Sequence, residues 1–109
     1  MDLFLELQEL QKRLNNSVKY LKQYGTELAQ AERDYKIALR QEALKLRTEK
    51  DMPVTLIQQV IYGYDDISKL RFERDTAEVK YNANQEYINT IKLQIRILES
   101  QLSREYAKG

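Results

Sequence analysis

The stretch that decides the fold runs over residues 67–102 and reads ISKLRFERDTAEVKYNANQEYINTIKLQIRILESQL. Apolar residues recur in it at alternating steps of three and four, which places them on one stripe of an α-helix. A stripe of this length has to be covered by a second helix. Its positions are Ile67, Leu70, Arg74, Ala77, Tyr81, Asn84, Ile88, Ile91, Ile95, Leu98 and Leu102.

The first part of the chain carries a matching stripe. If the two helices run antiparallel, the stripes pair at every step, because each layer then joins residues whose numbers have a constant sum. Leu10 then faces Ile95, and Ser17 faces Ile88. We call the two paired stripes the seam. Its positions in the first helix are Leu3, Leu7, Leu10, Leu14, Ser17, Leu21, Tyr24, Leu28, Ala31, Tyr35 and Ala38.

The predicted fold is therefore all-α: a long antiparallel two-helix coiled-coil hairpin with a short helix in the connection, assembling into a helical bundle. A single domain is expected over 1–109. Its long helices are predicted over 3–47 and 66–106, with the connection over 48–65. After Ala38 the apolar positions of the first helix shift by one residue, so the seam ends or rotates there.

The connection contains its own start and stop signals. Pro53 ends the first helix, because proline lacks an amide donor and disfavours the α conformation before it. Thr55 and Gln58 have capping-box spacing and predict a short helix over 56–62, which Gly63 closes. Asp65 and its acidic neighbour then cap the second long helix rather than bind a metal.

Two polar residues interrupt the seam. Arg74 faces Ala31 and Asn84 faces Leu21 in the predicted register, so each meets an apolar partner. In one interpretation, the apolar stem of Arg74 lies along the seam while its guanidinium reaches water, and the amide of Asn84 is tolerated within the seam. Alternatively, the buried asparagine fixes the register or the oligomeric state.

Composition limits the functions to consider. The chain has 109 residues, of which 32% are charged, with a net charge of +1. It contains no His and no Cys, which removes the commonest general base, the commonest zinc ligand and all thiol chemistry. No glycine-rich phosphate loop is present. We therefore expect a non-enzymatic protein without metal or cofactor, and we find no secretory signal or membrane span, which predicts a cytoplasmic location.

A second, sparser apolar stripe lies opposite the seam on the second long helix. An isolated pair of helices rarely buries enough apolar surface to be stable, so this stripe predicts a homo-oligomer, a dimer or higher. Its residues are Phe72, Val79, Ala83, Leu93 and Ile97.

The connection is more apolar than a plain turn requires. The short helix is expected to fold back over the end of the seam, burying Leu56 and Val60. That orientation leaves Ile61, Tyr62 and Tyr64 near the rim, where we predict a binding site for a protein partner, since tyrosine is enriched at interfaces.

A basic stretch in the first helix supports an alternative, a DNA-processing accessory protein. Lys12, Arg13, Lys19 and Lys22 occur without an intervening acid, and tyrosines are interleaved with them. Such a face tracks phosphates and stacks on bases. A solvated polar face explains the same residues, and a purely structural coiled coil is a third alternative.

Three segments, MPVTLI at 52–57, LRFERD at 70–75 and IKLQIRIL at 91–98, carry a resemblance to known proteins. Over its second half the chain resembles small coiled-coil proteins encoded by phages and prophages of Gram-positive bacteria. The resemblance implies a phage accessory role, such as binding and modulating a host or phage protein in the host cytoplasm. It implies no site residues.

Overall fold

The computed structural model describes residues 2–108, so Met1 and Gly109, the ends of the predicted domain, lie outside the described residues. The fold is all-α, as predicted. Two long helices, α1 (Leu3–Glu49) and α3 (Asp65–Lys108), are connected through the short helix α2 (Val54–Val60) and one 3-10 turn (Ile61–Gly63). The predicted bounds of the long helices differ from these by two residues or fewer.

Asp2 caps the start of α1. Its carboxylate Oδ1 accepts hydrogen bonds from the backbone N–H groups of Phe4, at 3.0 Å, and Leu5, at 3.4 Å. These amides have no partner within the helix, so the side chain satisfies donors that the helix leaves open. The acidic start of the sequence thus has a local structural role.

The end of α1 is built from backbone and arginine contacts. The N–H of Met52 donates to the carbonyl oxygen of Leu46 at 3.1 Å, and Arg47 Nη1 donates to the carbonyl oxygen of Met52 at 3.1 Å. Asp51 between them has φ of 49°, in the left-handed region. Aspartate tolerates this region better than most residues with a side chain, so the chain reverses here without a glycine.

The predicted capping box of α2 is wrong. The helix starts at Val54 with Pro53 as its N-cap, and no side chain caps it. The carbonyl oxygen of Pro53 accepts the N–H groups of Leu56 and Ile57, both at 3.0 Å. The proline ring fixes φ of Pro53, observed at −60°, and ψ is 145°, so Pro53 is extended and the helix starts directly after it, before Thr55.

The chain divides into two units. The terminal unit combines 1–24 with 81–109, and the connecting unit is 25–80. In α3, the buried and half-buried positions between 67 and 102 are those that the heptad pattern predicts, and every other described position in that range is exposed. The seam positions of α1 are likewise buried or half-buried.

The core of the terminal unit forms where the two ends of the chain meet. Leu10 is buried against residues of α3, and Leu3, Leu7 and Leu14 pack against the same cluster. These contacts agree with the predicted pairing of Leu10 and Ile95 and require α1 and α3 to run antiparallel in this unit. The buried α3 members of the cluster are Ile91, Ile95 and Leu98.

The core of the connecting unit joins α1, α2, the 3-10 turn and α3. Leu46 is fully buried at 0% exposure. The drift of the apolar positions after Ala38 places Leu39, Ala43 and Leu46 in this core. The other buried members are Tyr35, Ile57, Ile61 and Ile67.

The expected orientation of α2 is also wrong. Ile57 and Ile61 face the core, whereas Leu56 is 41% exposed and Val60 is half-buried. The row of Leu56 and Val60 and the neighbouring row of Ile57 and Ile61 are both apolar, so the sequence pattern does not fix the rotation of α2 about its axis. In the structure, the row with Ile57 packs against Tyr35, Leu46 and Ile67.

Crosslinking tests the pairing within the terminal unit. The variant Leu10→Cys/Ile95→Cys should form a disulfide within one chain under mild oxidation, because residues in one layer bring their Cβ atoms to disulfide distance. Intact-mass and gel analysis would measure it. The matched variant Leu10→Cys/Leu102→Cys should not crosslink, and a reversed result would show that the register is off by one heptad.

Candidate protein-binding surfaces

The end of the connecting unit exposes apolar side chains around α2. Val54 is 56% exposed, Leu56 is 41% exposed and Tyr62 is 44% exposed. The guanidinium carbon of Arg71 lies 5.1 Å from the centre of the Tyr62 ring, a cation–π contact that holds the ring at the surface. We call Val54, Leu56, Tyr62 and Arg71 the tip surface.

Two of the three residues predicted to bind a partner are buried or half-buried in the core of the connecting unit. Ile61 is only 3% exposed and belongs to the core, so its prediction as a binding residue is wrong. Tyr64 is half-buried and packs against the same core. The rotation of α2 explains both outcomes, since it turns the row of Ile57 and Ile61 inward. Tyr62 alone of the three is well exposed.

Gly63 is adjacent to the tip surface and has no evident role in the fold. Its φ is not positive, and a Cβ built on it would meet no atom within 4 Å. It lines a shallow groove together with Gln59, Val60 and Tyr64. A glycine here leaves the backbone open to close approach from outside.

The second stripe of α3 is exposed, as its pattern predicts. In the connecting unit, Phe72 is 72% exposed and Val79 is 68% exposed. In the terminal unit, Leu93 and Ile97 are 54% and 51% exposed, and Ala83 is also exposed. Ile97 additionally lines a groove of about 430 Å³ between α1 and α3.

Arg13 of the predicted basic face forms an ion pair at the surface of α1. Its Nε lies 3.4 Å from Glu9 Oε1, and the side chain lines the same groove as Ile97. Arg13 is exposed, as are Lys12, Lys19 and Lys22, so all four residues of the predicted basic face lie at the surface. Lys12 and Lys19 lie on one side of the helix, with Lys22 and Arg13 about 80° and 100° away on either flank.

A pair of tyrosines lies beside this basic face. Tyr20 is 48% exposed, and its ring stacks on that of Tyr24 with 5.5 Å between the centroids. Tyr24 is half-buried in the seam, so it supports the exposed ring from below. The stacked pair gives this flank of α1 a flat aromatic surface.

Both polar seam residues make specific contacts. Asn84 Nδ2 donates to the carbonyl oxygen of Ser17 at 3.0 Å, which joins neighbouring layers of the predicted register. Arg74 Nη2 reaches Asp75 Oδ1 at 2.7 Å while its guanidinium carbon lies 4.9 Å from the centre of the Tyr35 ring. The hydrogen bond to Asp75 raises the pKa of the Arg74 guanidinium.

The described residues contain no group of three or more acidic, histidine or cysteine side chains placed to hold a metal ion. Within that same part of the chain, no helix is both long enough and apolar enough to cross a membrane. No protein-family model matches the sequence, and no curated protein or solved structure matches it significantly. The surfaces described above therefore carry the functional argument.

Sequence reasoning missed part of the tip surface. Val54 and Leu56 were expected to belong to the turn or the core, and their exposure depends on the rotation of α2. Arg71 lies outside the seam pattern and has no distinguishing neighbour in the sequence.

Replacing Asn84 by Leu tests its role in the seam. The substitution should raise the free energy of unfolding by about 1 kcal/mol, because a partly buried amide is replaced by an apolar side chain and the Ser17 carbonyl stays in the helix. It should also broaden the distribution of oligomeric states. Thermal denaturation and sedimentation velocity would measure both effects. A less stable variant with one unchanged species would contradict the proposed register role.

Proposed function

We propose that the protein is a non-enzymatic protein-protein interaction module that self-associates and captures a protein partner through the tip surface. The observation that carries this proposal is the use of α2. A short polar loop would have joined the two long helices. Instead, Ile57 of α2 and Ile61 of the 3-10 turn complete the core, while Val54, Leu56 and Tyr62 are exposed in the same short segment.

The chemistry of the tip surface fits a protein partner. Tyr62 lies under the guanidinium of Arg71, and aromatic and arginine side chains dominate binding energy at many protein interfaces. Val54 and Leu56 add exposed apolar side chains in the same segment. The open backbone at Gly63 adds a place where a partner's chain can approach closely. The resemblance to phage-encoded coiled-coil proteins supports an accessory role in the host cytoplasm, where the partner is a host or phage protein.

A tip variant separates binding from folding. Tyr62→Ser, combined with Leu56→Ser, should leave the helical content unchanged, since both side chains are exposed and the ring contributes about 0.5–1 kcal/mol through Arg71. The variant should lose the partner that the wild-type chain retains in a pull-down from host lysate. Circular dichroism and quantitative mass spectrometry would measure the two effects.

Two controls define the outcome of this experiment. Tyr106→Ser removes a tyrosine that is 80% exposed and distant in sequence from the tip, and it should retain the partner. Tyr64→Ser removes a half-buried ring, so it should lower the melting temperature. If the tip variant keeps the partner at the wild-type level, this proposal for the tip surface fails.

Nucleic-acid binding is the second candidate function, and the exposed Tyr20 ring beside Lys19 is the observation that favours it. Lysines attract phosphates, and an exposed ring stacks on a base. In a gel shift with single- and double-stranded DNA, changing Lys12, Lys19 and Lys22 to Gln should weaken binding and reduce its salt dependence. The control variant Lys92→Gln should not. No shift at low salt would exclude this candidate.

A further inference from the structure

The outer face of α3 in the terminal unit carries a second series of positions at alternating steps of three and four. All of them are exposed. Leu93 and Ile97 form its apolar centre, small residues lie at its two ends, and one acid and one base lie in between. The series is Ala83, Glu86, Thr90, Leu93, Ile97, Ser100, Arg104 and Ala107.

The series is complementary to the same series of a second chain that runs antiparallel to it. About a two-fold axis at the level of residue 95, Leu93 of one chain faces Ile97 of a second copy. The same operation places Thr90 against Ser100, hydroxyl against hydroxyl. At the two ends it places Ala83 against Ala107, where small side chains let the helices approach closely. A two-fold axis repeats each of these contacts, as isologous dimers do.

The charged positions also match under this operation. Glu86 of one chain faces Arg104 of the other, twice in each dimer. Within the described part of the chain, neither side chain forms a salt bridge. The Nε of Arg104 donates only to the carbonyl oxygen of Ser100, at a long 3.4 Å. Both charges are therefore available to an external partner.

Other arrangements of the same face bring unfavourable neighbours together. A parallel pair would set Glu86 against Glu86 and Arg104 against Arg104. An antiparallel pair shifted by one heptad would set Glu86 against Ile97, or Arg104 against Leu93. Like charges or a charge facing an apolar side chain oppose these alternatives, so the pattern selects one register.

We propose that a second copy of this chain covers the outer face of α3 in the terminal unit, in an antiparallel two-fold contact centred between Leu93 and Ile97. The inference rests on the self-association in the proposed function and specifies its geometry. Phe72 and Val79, which belong to the connecting unit, have no counterpart in this pairing. Only Ala83, Leu93 and Ile97 of the predicted self-association residues take part.

Crosslinking between two single-cysteine chains tests the geometry directly, because the sequence contains no cysteine of its own. Leu93→Cys chains mixed with isotopically labelled Ile97→Cys chains should form the mixed disulfide at least about fivefold more than either like-with-like disulfide. The control mixture of Lys92→Cys and Arg96→Cys chains, one position around the helix, should crosslink weakly. Predominant like-with-like disulfides would overturn the proposed geometry.

Charge exchange tests the register independently of packing. Glu86→Arg should raise the dissociation constant of the dimer in sedimentation equilibrium by about tenfold or more, since two attractions become repulsions. Adding Arg104→Glu should restore the wild-type value to within about threefold. The control Glu99→Arg, an exposed site outside the series, should change it less than about twofold.

The possible outcomes distinguish a failure of the proposed dimer geometry from a failure of the proposed self-association. A dimer without the mixed disulfide, or without restoration by the charge exchange, overturns the geometry and leaves self-association standing. A wild-type chain that stays monomeric at about 100 µM overturns both. Partner capture by the tip surface is measured separately, so none of these outcomes depends on it.

Discussion

The structure depends on one constraint, which is that a continuous apolar stripe on a helix must be covered by another helix. In α3 every buried or half-buried position between 67 and 102 belongs to the predicted stripe. In the terminal unit the first turns of α1 cover the last turns of α3, so the two helices run antiparallel there. The two polar interruptions are tolerated because each side chain finds a partner at the edge of the seam, Asn84 on the Ser17 carbonyl and Arg74 on Asp75.

The same constraint explains which features could be predicted from the sequence. Heptad spacing depends on the sequence alone, so the long helices and the seam residues follow directly from it. Their bounds at the connection follow from Pro53, which ends α1, and from the acidic start of α3 at Asp65. The conformation of the connection between α1 and α3 does not follow from heptad spacing. The start of α2 depends on the conformation of Pro53, and the choice between two apolar rows depends on tertiary packing against Tyr35, Leu46 and Ile67. For this reason Ile61 belongs to the core, while Leu56 belongs to the tip surface.

The seam also leaves surfaces uncovered, and these carry the functional argument. Each long helix has one face in the seam and others in water. On the outer face of α3, Leu93 and Ile97 lie between Glu86 and Arg104, an order that is complementary to its own reverse. At the tip, Tyr62 is held at the surface by Arg71. We propose that the first surface binds a second copy of the chain and that the second binds a different protein.

Thermal unfolding of the wild-type chain at different protein concentrations tests most directly whether a second copy completes the structure. If a second copy covers α3, folding and association are coupled, and mass action stabilises the folded state as concentration rises. The melting temperature should then increase by several degrees between about 5 µM and about 500 µM. A melting temperature that stays constant over this range would contradict the account and show that the chain is stable with its outer face in water.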